Sequence, residues 1–119
     1  MKIAITSQGT DLDAQVDPRF GRAAYIVVVD SESNEFQVID NSSNVNAMKG
    51  AGIQAASNVV NSGAEVLLTG FCGPNAFKAL KAGKVAVSND AAGTVREAVK
   101  AYLDGKLPHS DSANVDGHW

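Results

Sequence analysis

The sequence predicts an α/β fold, and three observations predict it. Short runs rich in β-branched and apolar residues, Lys2 to Thr6 and Tyr25 to Asp30, read as strands bounded by polar punctuation. From residue 50 onward the periodicity switches between strand-like runs and helix-like spacing. Helix start and stop signals, a proline, a capping box and two glycines, fall where those switches occur.

Each element follows in order. The first strand, Lys2 to Thr6, and the second, Tyr25 to Asp30, flank a long loop, and the third, Glu35 to Asp40, follows a polar hairpin turn at Ser31 to Asn34. A polar loop from Asn41 to Met48 leads into a helix expected over Gly50 to Ser62. Its Ile53, Ala56, Val59 and Val60 fall on one face, and Gly63 suits a C-terminal cap. Glu65 to Thr69 is a fourth strand, and Pro74 to Ala82 is a helix with proline at its first position. Val85 to Ser88 is the fifth strand. The final helix begins at Thr94, where Thr94-Val95-Arg96-Glu97 matches a capping box, and Gly105 ends it. Residues 1 to 107 form one domain in this reading, and 108 to 119 form a polar tail carrying His109, His118 and the lone tryptophan, Trp119. A dozen residues can reach ~40 Å, enough to cross a sheet and cover a site on its far edge.

Composition narrows the function. A chain of 119 residues supports one core and not two. Its net charge of -3 and pI near 5.2 argue against a general nucleic-acid binder, so any anion must be captured locally. No apolar run approaches the roughly 20 residues of a membrane span, and Met1 leads straight into a strand, so a cytoplasmic protein is expected. One cysteine excludes an intramolecular disulfide and a self-contained four-cysteine iron-sulfur or zinc site. A bound metal cluster would have to bring most of its own ligands.

Asp17-Pro18-Arg19-Phe20-Gly21-Arg22-Ala23 is the densest functional stretch. Arg19 and Arg22 offer fixed positive charge and planar N–H donors to an anion. Against this, Arg22 could pair with Asp17 or Asp30 while Arg19 is simply solvated. Phe20 is expected to pack over the loop, and Gly21 to adopt a backbone shape that other residues resist. Cys72, between Gly70-Phe71 and Gly73-Pro74-Asn75, is a candidate soft metal ligand whose thiolate a helix start would favour, although free cysteines are often small buried hydrophobes. Gly70, Phe71 and Gly73 are candidates for a shelf of backbone donors. Gly50-Ala51-Gly52-Ile53-Gln54-Ala55 fits the dinucleotide pattern G-x-G-x-x-A, but a long polar loop separates it from its strand and Glu65 begins a strand instead of ending one. Close approach of a helix to the same anion site suits it better. No acid lies on the first strand for two-metal nuclease chemistry and no nucleophile-base-acid set is present, so no enzyme activity and no catalytic residue is expected.

Asp17 to Ala23, Gly52-Ile53-Gln54-Ala55-Ala56, Val66 to Gly70 and Gly73-Pro74-Asn75-Ala76 together resemble the dinitrogenase iron-molybdenum cofactor biosynthesis family over roughly residues 1 to 107. The resemblance implies a ribonuclease H-like three-layer fold, with a five-stranded mixed sheet of order 3-2-1-4-5, strand 2 antiparallel, and three helices. It implies that the carboxyl ends of strands 1, 3, 4 and 5 share one edge, with a crevice at the switch between strands 1 and 4. The match extends to stand-alone members from sulfate-reducing bacteria, partly through size and the Ala113 to Trp119 ending. These hold a molybdenum-copper sulfide cluster of the S2MoS2CuS2MoS2 type without covalent attachment. On that basis Arg19, Phe20, Gly21, Arg22, Gly50, Gly52, Gly70, Phe71, Cys72, Gly73, Asn75 and His118 are the expected cluster-binding residues, with Cys72 the candidate metal ligand and His118 and Trp119 a shield from water. A monomer is expected. Two other readings follow from the resemblance, a regulatory module docking on a MinD- or Mrp-type ATPase and a carrier of iron-molybdenum cofactor precursor for nitrogenase. The family usually has histidine where Arg19 stands, which tilts the reading away from the precursor carrier.

Overall fold

The computed structural model describes residues 1–41 and 51–110. Its elements run β1 (Lys2–Ser7), β2 (Tyr25–Asp30), β3 (Phe36–Asp40), α1 (Ala51–Asn61), β4 (Val66–Leu68), α2 (Pro74–Ala82), β5 (Ala86–Ser88) and α3 (Val95–Leu103). The strands form one sheet of order β3-β2-β1-β4-β5. β2 is antiparallel to both β1 and β3, while β1, β4 and β5 run parallel. This is the mixed sheet and strand order that the family resemblance implies.

Period-two alternation sorts the central strands between two cores. Ala4, Ile26, Val28 and Leu67 face one core, with Ala55, Ala56 and Val59 of α1 and Ala76, Phe77 and Leu80 of α2. Ile3, Ile5, Val27, Val29, Val66 and Leu68 face the other, with Val95, Ala98 and Val99 of α3. The result is three layers, with two helices on one face and one on the other. Because β1, β2 and β4 are buried on both faces, their sequences read as continuous apolar runs instead of strict alternation.

The end signals work locally as the residue types dictate. Thr94 Oγ1 accepts from Glu97 N–H at 3.1 Å while Glu97 Oε1 accepts from Thr94 N–H at 2.9 Å, a complete capping box. Gly63 and Gly105 close α1 and α3 with φ of +83° and +79°, which L residues resist.

One expectation fails inside α1. Ile53, placed with Ala56, Val59 and Val60 on the inward face, is 49% exposed. The buried stripe is set by Ala55, Ala56 and Val59, and Ile53 sits about 110° round the axis from its middle at 3.6 residues per turn. Val60, on the same flank, is half-buried and packs against the chain at Gly83, where any Cβ would overlap its methyl groups.

Candidate functional site

The strand register sets the site. Ser7 pairs with Tyr25 and Tyr25 with Asp40, while Ile5 aligns with Leu68 and Leu68 with Ser88. The carboxyl ends of β1, β3, β4 and β5 and the start of β2 therefore share one edge. Neighbouring strands β1 and β4 send their chains in different directions, to the loop 8–24 and to α2, the switch in connection at which α/β sheets place their ligands.

The loop 8–24 does not hang free at that switch point. Asp17 N–H donates to Thr6 O, Thr6 Oγ1 donates to Asp17 O, and Thr6 and Thr69 share a hydroxyl–hydroxyl bond of 2.8 Å between β1 and the end of β4. Phe71 N–H donates to Pro18 O at 2.6 Å, and Phe20 N–H donates to Phe71 O at 3.0 Å, which makes a one-residue parallel bridge between Arg19 and Phe71. Gly70 makes that bridge sterically feasible, since a Cβ there would lie 2.7 Å from Pro18 Cβ and 2.8 Å from Pro18 O. The small residue serves the close approach of another stretch of this chain, where the sequence suggests space for a bulky ligand.

The bridge carries Arg19 to the segment that feeds α2. Its side chain is 50% exposed, and its Nε approaches Oδ1 of the nearly buried Asp17 at 3.4 Å. Asp17 Oδ1 also accepts the Arg19 backbone N–H at 2.9 Å. The partner of Asp17 is thus Arg19, where the sequence left Arg22 as a candidate. Among the described residues, Nε is the guanidinium nitrogen that this pair engages. Arg22 is half-buried, and its backbone N–H donates to Arg19 O at 3.1 Å to close a tight turn. Gly21 within that turn has φ +96°, the shape expected of it.

Two of the expected contact residues lie below the surface. Phe20, expected to lie over the loop, is 1% exposed and packed in the core shared with α1 and α2, where it pins the arginine loop from beneath. Cys72 is fully buried in that core, and its Sγ lies 3.8 Å from Gly73 O. Burial pushes its thiol up to about 12, so desolvation overrides the thiolate-favouring helix start that the sequence suggests.

The helix start itself is open. Gly73, buried at the N-cap of α2, offers no capping side chain, and Pro74 at the first position has no N–H to satisfy. Phe77 N–H reaches Gly73 O at 2.9 Å, and among the described residues no acceptor is recorded for the N–H groups of Asn75 and Ala76. Asn75 is exposed and Phe71 is 41% exposed beside it. α3 differs, because Glu97 and Thr94 already occupy its first turn. Gly52 lies in the first turn of α1, half-buried. Gly50 and His118 lie outside the described residues, as do Met48 and Trp119.

Sequence reasoning missed how the chain after Leu107 behaves. Packing continues past the expected boundary at 107: Ser110 N–H donates to Val87 O at 2.7 Å, Ser88 Oγ donates to Pro108 O at 3.0 Å, and Asn89 Nδ2 donates to Ser110 Oγ at 2.8 Å. His109 stacks on Tyr102 of α3, with ring centres 5.8 Å apart and a 2.8 Å contact from its Nε2 to the phenol oxygen. No periodic pattern announces a three-residue strap, so nothing in the sequence could have placed it.

The donors gathered at the edge are cationic or N–H groups. Among the described residues, no group of three or more His, Cys, Asp or Glu side chains is placed to hold a metal ion, and no helix is long and apolar enough to cross a membrane. Such donors fit a self-contained anion, one whose metals already carry their ligands, and not a bare cation.

Comparison with known proteins agrees with this architecture. The chain is 47% identical to the orange protein of Desulfovibrio gigas, whose apo structure it matches with a TM-score of 0.93 over 96% of each chain. A putative NifB protein from Thermotoga is 36% identical, with a TM-score of 0.84 over 98% of each chain. An uncharacterised protein of Methanocaldococcus jannaschii is 30% identical over 110 residues, 90% of this chain and 89% of its own length. The model of the dinitrogenase iron-molybdenum cofactor family matches residues 1–105, and this chain belongs to that family.

Proposed function

We propose that this protein binds and carries a preassembled, anionic metal-sulfide cluster, without being an enzyme. The observation that carries the reading is the Arg19–Phe71 bridge, which ties the backbone of Arg19, whose side chain is half exposed, to the segment that leads into α2, a helix whose N-cap Gly73 supplies no side-chain cap. A guanidinium supplies charge and directed N–H donors, and an open helix start adds backbone N–H groups and the positive end of a dipole. Neither needs to bond a metal. The cluster's own sulfides would meet these donors, with Arg22, Gly21, Gly73, Asn75 and the exposed face of Phe71 completing the contact. Gly50 and Gly52 would bring the start of α1 to the same edge, and His118 would cover the cluster from the C-terminus.

The composition we propose is molybdenum-copper, of the S2MoS2CuS2MoS2 type, held non-covalently by a cytoplasmic monomer. Support comes from the 47% identity to the orange protein and from arginine at position 19, which cannot ligate a metal as a histidine would. Phe20 and Cys72 act from beneath the site by holding the loop and the start of α2 in place. Direct ligation by Cys72 has no support in a thiol held neutral by burial.

The test is reconstitution. Metal-free protein mixed with tetrathiomolybdate and a copper salt, then desalted, should retain molybdenum and copper in a fixed ratio with a visible absorption band. The double variant Arg19→Ala, Arg22→Ala should lose most of that metal. A colourless wild type, or a variant that retains as much as wild type, rejects the proposal.

A further inference from the structure

The sheet has two outer edges, and the fold treats them differently. The short strand β5 is lined by the strap 108–110, with Ser110 N–H donating to Val87 O and Ser88 Oγ donating to Pro108 O. The longer β3 is exposed on both faces, and within it only Ile39 is half-buried. Asp30 N–H donates to Glu35 O and Asn41 N–H donates to Ala24 O, so in the β2–β3 register residues 35, 37, 39 and 41 direct their backbone groups to β2. Phe36 and Val38 alternate with them and turn N–H and C=O outward, where no partner is recorded among the described residues.

An outer strand is ordinarily guarded by a lysine, a proline or a bulge that stops another strand from adding to it. Residues 35–40 contain neither lysine nor proline, and their register with β2 runs without a bulge. Phe36 and Val38 are 42% and 36% exposed and lie on one face, since they pair with Val29 and Val27 of the core beneath α3. The other face differs. At the start of β3 a cavity of about 220 Å³ is lined by Lys2, Val28, Asp30, Glu35, Phe36 and Gln37, so its charged groups are two carboxylates and one ammonium. The Asp30 carboxyl is held below its usual range, chiefly by the N–H of Glu32, and stays anionic at neutral pH.

A strand added to β3 would alternate its side chains between these two faces. Those on the α3 side would meet Phe36 and Val38, and those on the other side would bring a long cation to Asp30 and Glu35 with Val28 beside its stem. We propose that the outer edge of β3 is a docking site for an extended segment of another protein, one in which basic and apolar residues alternate, taken up by strand addition. A second copy of this chain suits the edge less. Glu35 and Asp40 are the only charged residues of the segment 35–40, so pairing β3 with itself gathers carboxylates without a cation from either strand, on two chains that each carry a net charge of -3. The proposal is independent of the metal-cluster reading, because it needs no cargo and uses none of the residues assigned to the cluster.

The test titrates the whole, uniformly labelled chain with an acetylated and amidated peptide of four arginine-valine repeats. The backbone amide resonances of Phe36 and Val38 should shift, and their hydrogen exchange should slow by about tenfold or more at saturation, because both amides gain acceptors. A peptide of four arginine-proline repeats has the same charge but resists the strand, and one of four glutamate-valine repeats keeps the strand pattern with the opposite charge. Each should bind at least about tenfold more weakly. Glu35→Lys changes an exposed side chain and leaves the carbonyl that accepts from Asp30 N–H, so it should weaken the arginine-valine peptide and strengthen the glutamate-valine peptide. Resonances of Phe36 and Val38 that stay fixed, or equal binding of the arginine-proline peptide, overturn the proposal, and both readouts come from the wild type. Sedimentation that shows a dimer of the free chain, with these two amides protected before any peptide is added, assigns the edge to a second copy and overturns it as well.

Discussion

Gly70→Ala tests whether the carboxyl edge is built by backbone contact. The new Cβ would stand 2.7 Å from Pro18 Cβ and 2.8 Å from Pro18 Cα and O, so relief needs roughly 0.7 Å of movement between two main chains. No side-chain rotation can provide it, because the obstacle is a proline and its carbonyl. Overpacking of this kind costs about 1–3 kcal/mol, and the bonds Phe71 N–H to Pro18 O and Phe20 N–H to Phe71 O add about 1 kcal/mol each if they open. A net loss of about 2–3 kcal/mol is expected, which at about 4 °C per kcal/mol lowers Tm by roughly 8–12 °C for a domain of this size. Urea and thermal unfolding measure the loss, and amide exchange at Phe20 and Phe71 shows whether the bridge is the part that opened. Because Arg19 rides on that bridge, cluster retention should fall in the same variant at temperatures where it is still folded. A variant with wild-type Tm and unchanged exchange at both amides would refute the close-approach argument.

The remaining predictions concern one thiol and one cap. Cys72 in the fold has its thiol pushed up to about 12 from an ordinary 9.0, so its contribution to stability is complete below about pH 9 and is lost as pH rises from there toward 12, by at most ~1.4 kcal/mol per pH unit. Cys72→Ala should cost about 1–2 kcal/mol at neutral pH through lost packing and flatten the alkaline limb, and unfolding curves of the two proteins at pH 7 and 10 that stay parallel would contradict this. Thr94→Ala removes the hydroxyl that accepts Glu97 N–H and should cost about 1 kcal/mol in urea unfolding, with no effect on metal retention, because α3 already uses its own first turn.

Much of the scaffold was legible because it is written in local patterns. The apolar runs of β1 and β2, Pro74 at the start of α2, the Thr94–Glu97 box and the two left-handed glycines each carry their reason within a few residues. Strand order was not of this kind and came from family resemblance. What escaped the sequence depends on pairs far apart in the chain. Gly70 looks like a ligand shelf until Pro18 is seen against it, and Cys72 looks like a reactive thiol until the core closes over it. Ile53 was misplaced for a different reason, since the inward stripe of α1 is narrow and lined by alanines, and a large residue on its flank gives a stronger signal than the small ones that pack. Asn89 and Ser110, 21 residues apart, carry no motif at all.

On the proposed function an acidic protein takes up an anion against its own net charge, and the donors at this edge supply a way to do so. The net charge of -3 acts over the whole surface, where salt screens it with a Debye length of ≈ 8–10 Å. The attraction acts at contact distance, from a guanidinium and open N–H groups whose partners reach them before much solvent intervenes. Asp17 sharpens the division of labour. Its carboxylate is nearly buried and holds Arg19 through Nε and the backbone N–H, which fixes the orientation of the guanidinium without engaging its terminal nitrogens. Part of the arginine's charge is offset in this way, and what remains is a directional donor on a rigid mount. Such a site discriminates by shape and hydrogen-bond geometry more than by charge, which suits a bulky cluster with sulfides spread over its surface. It also explains why the supporting residues, Phe20, Gly70 and Cys72, are buried: a donor array that must not rearrange needs its second layer packed, and the core shared with α1 and α2 supplies that packing.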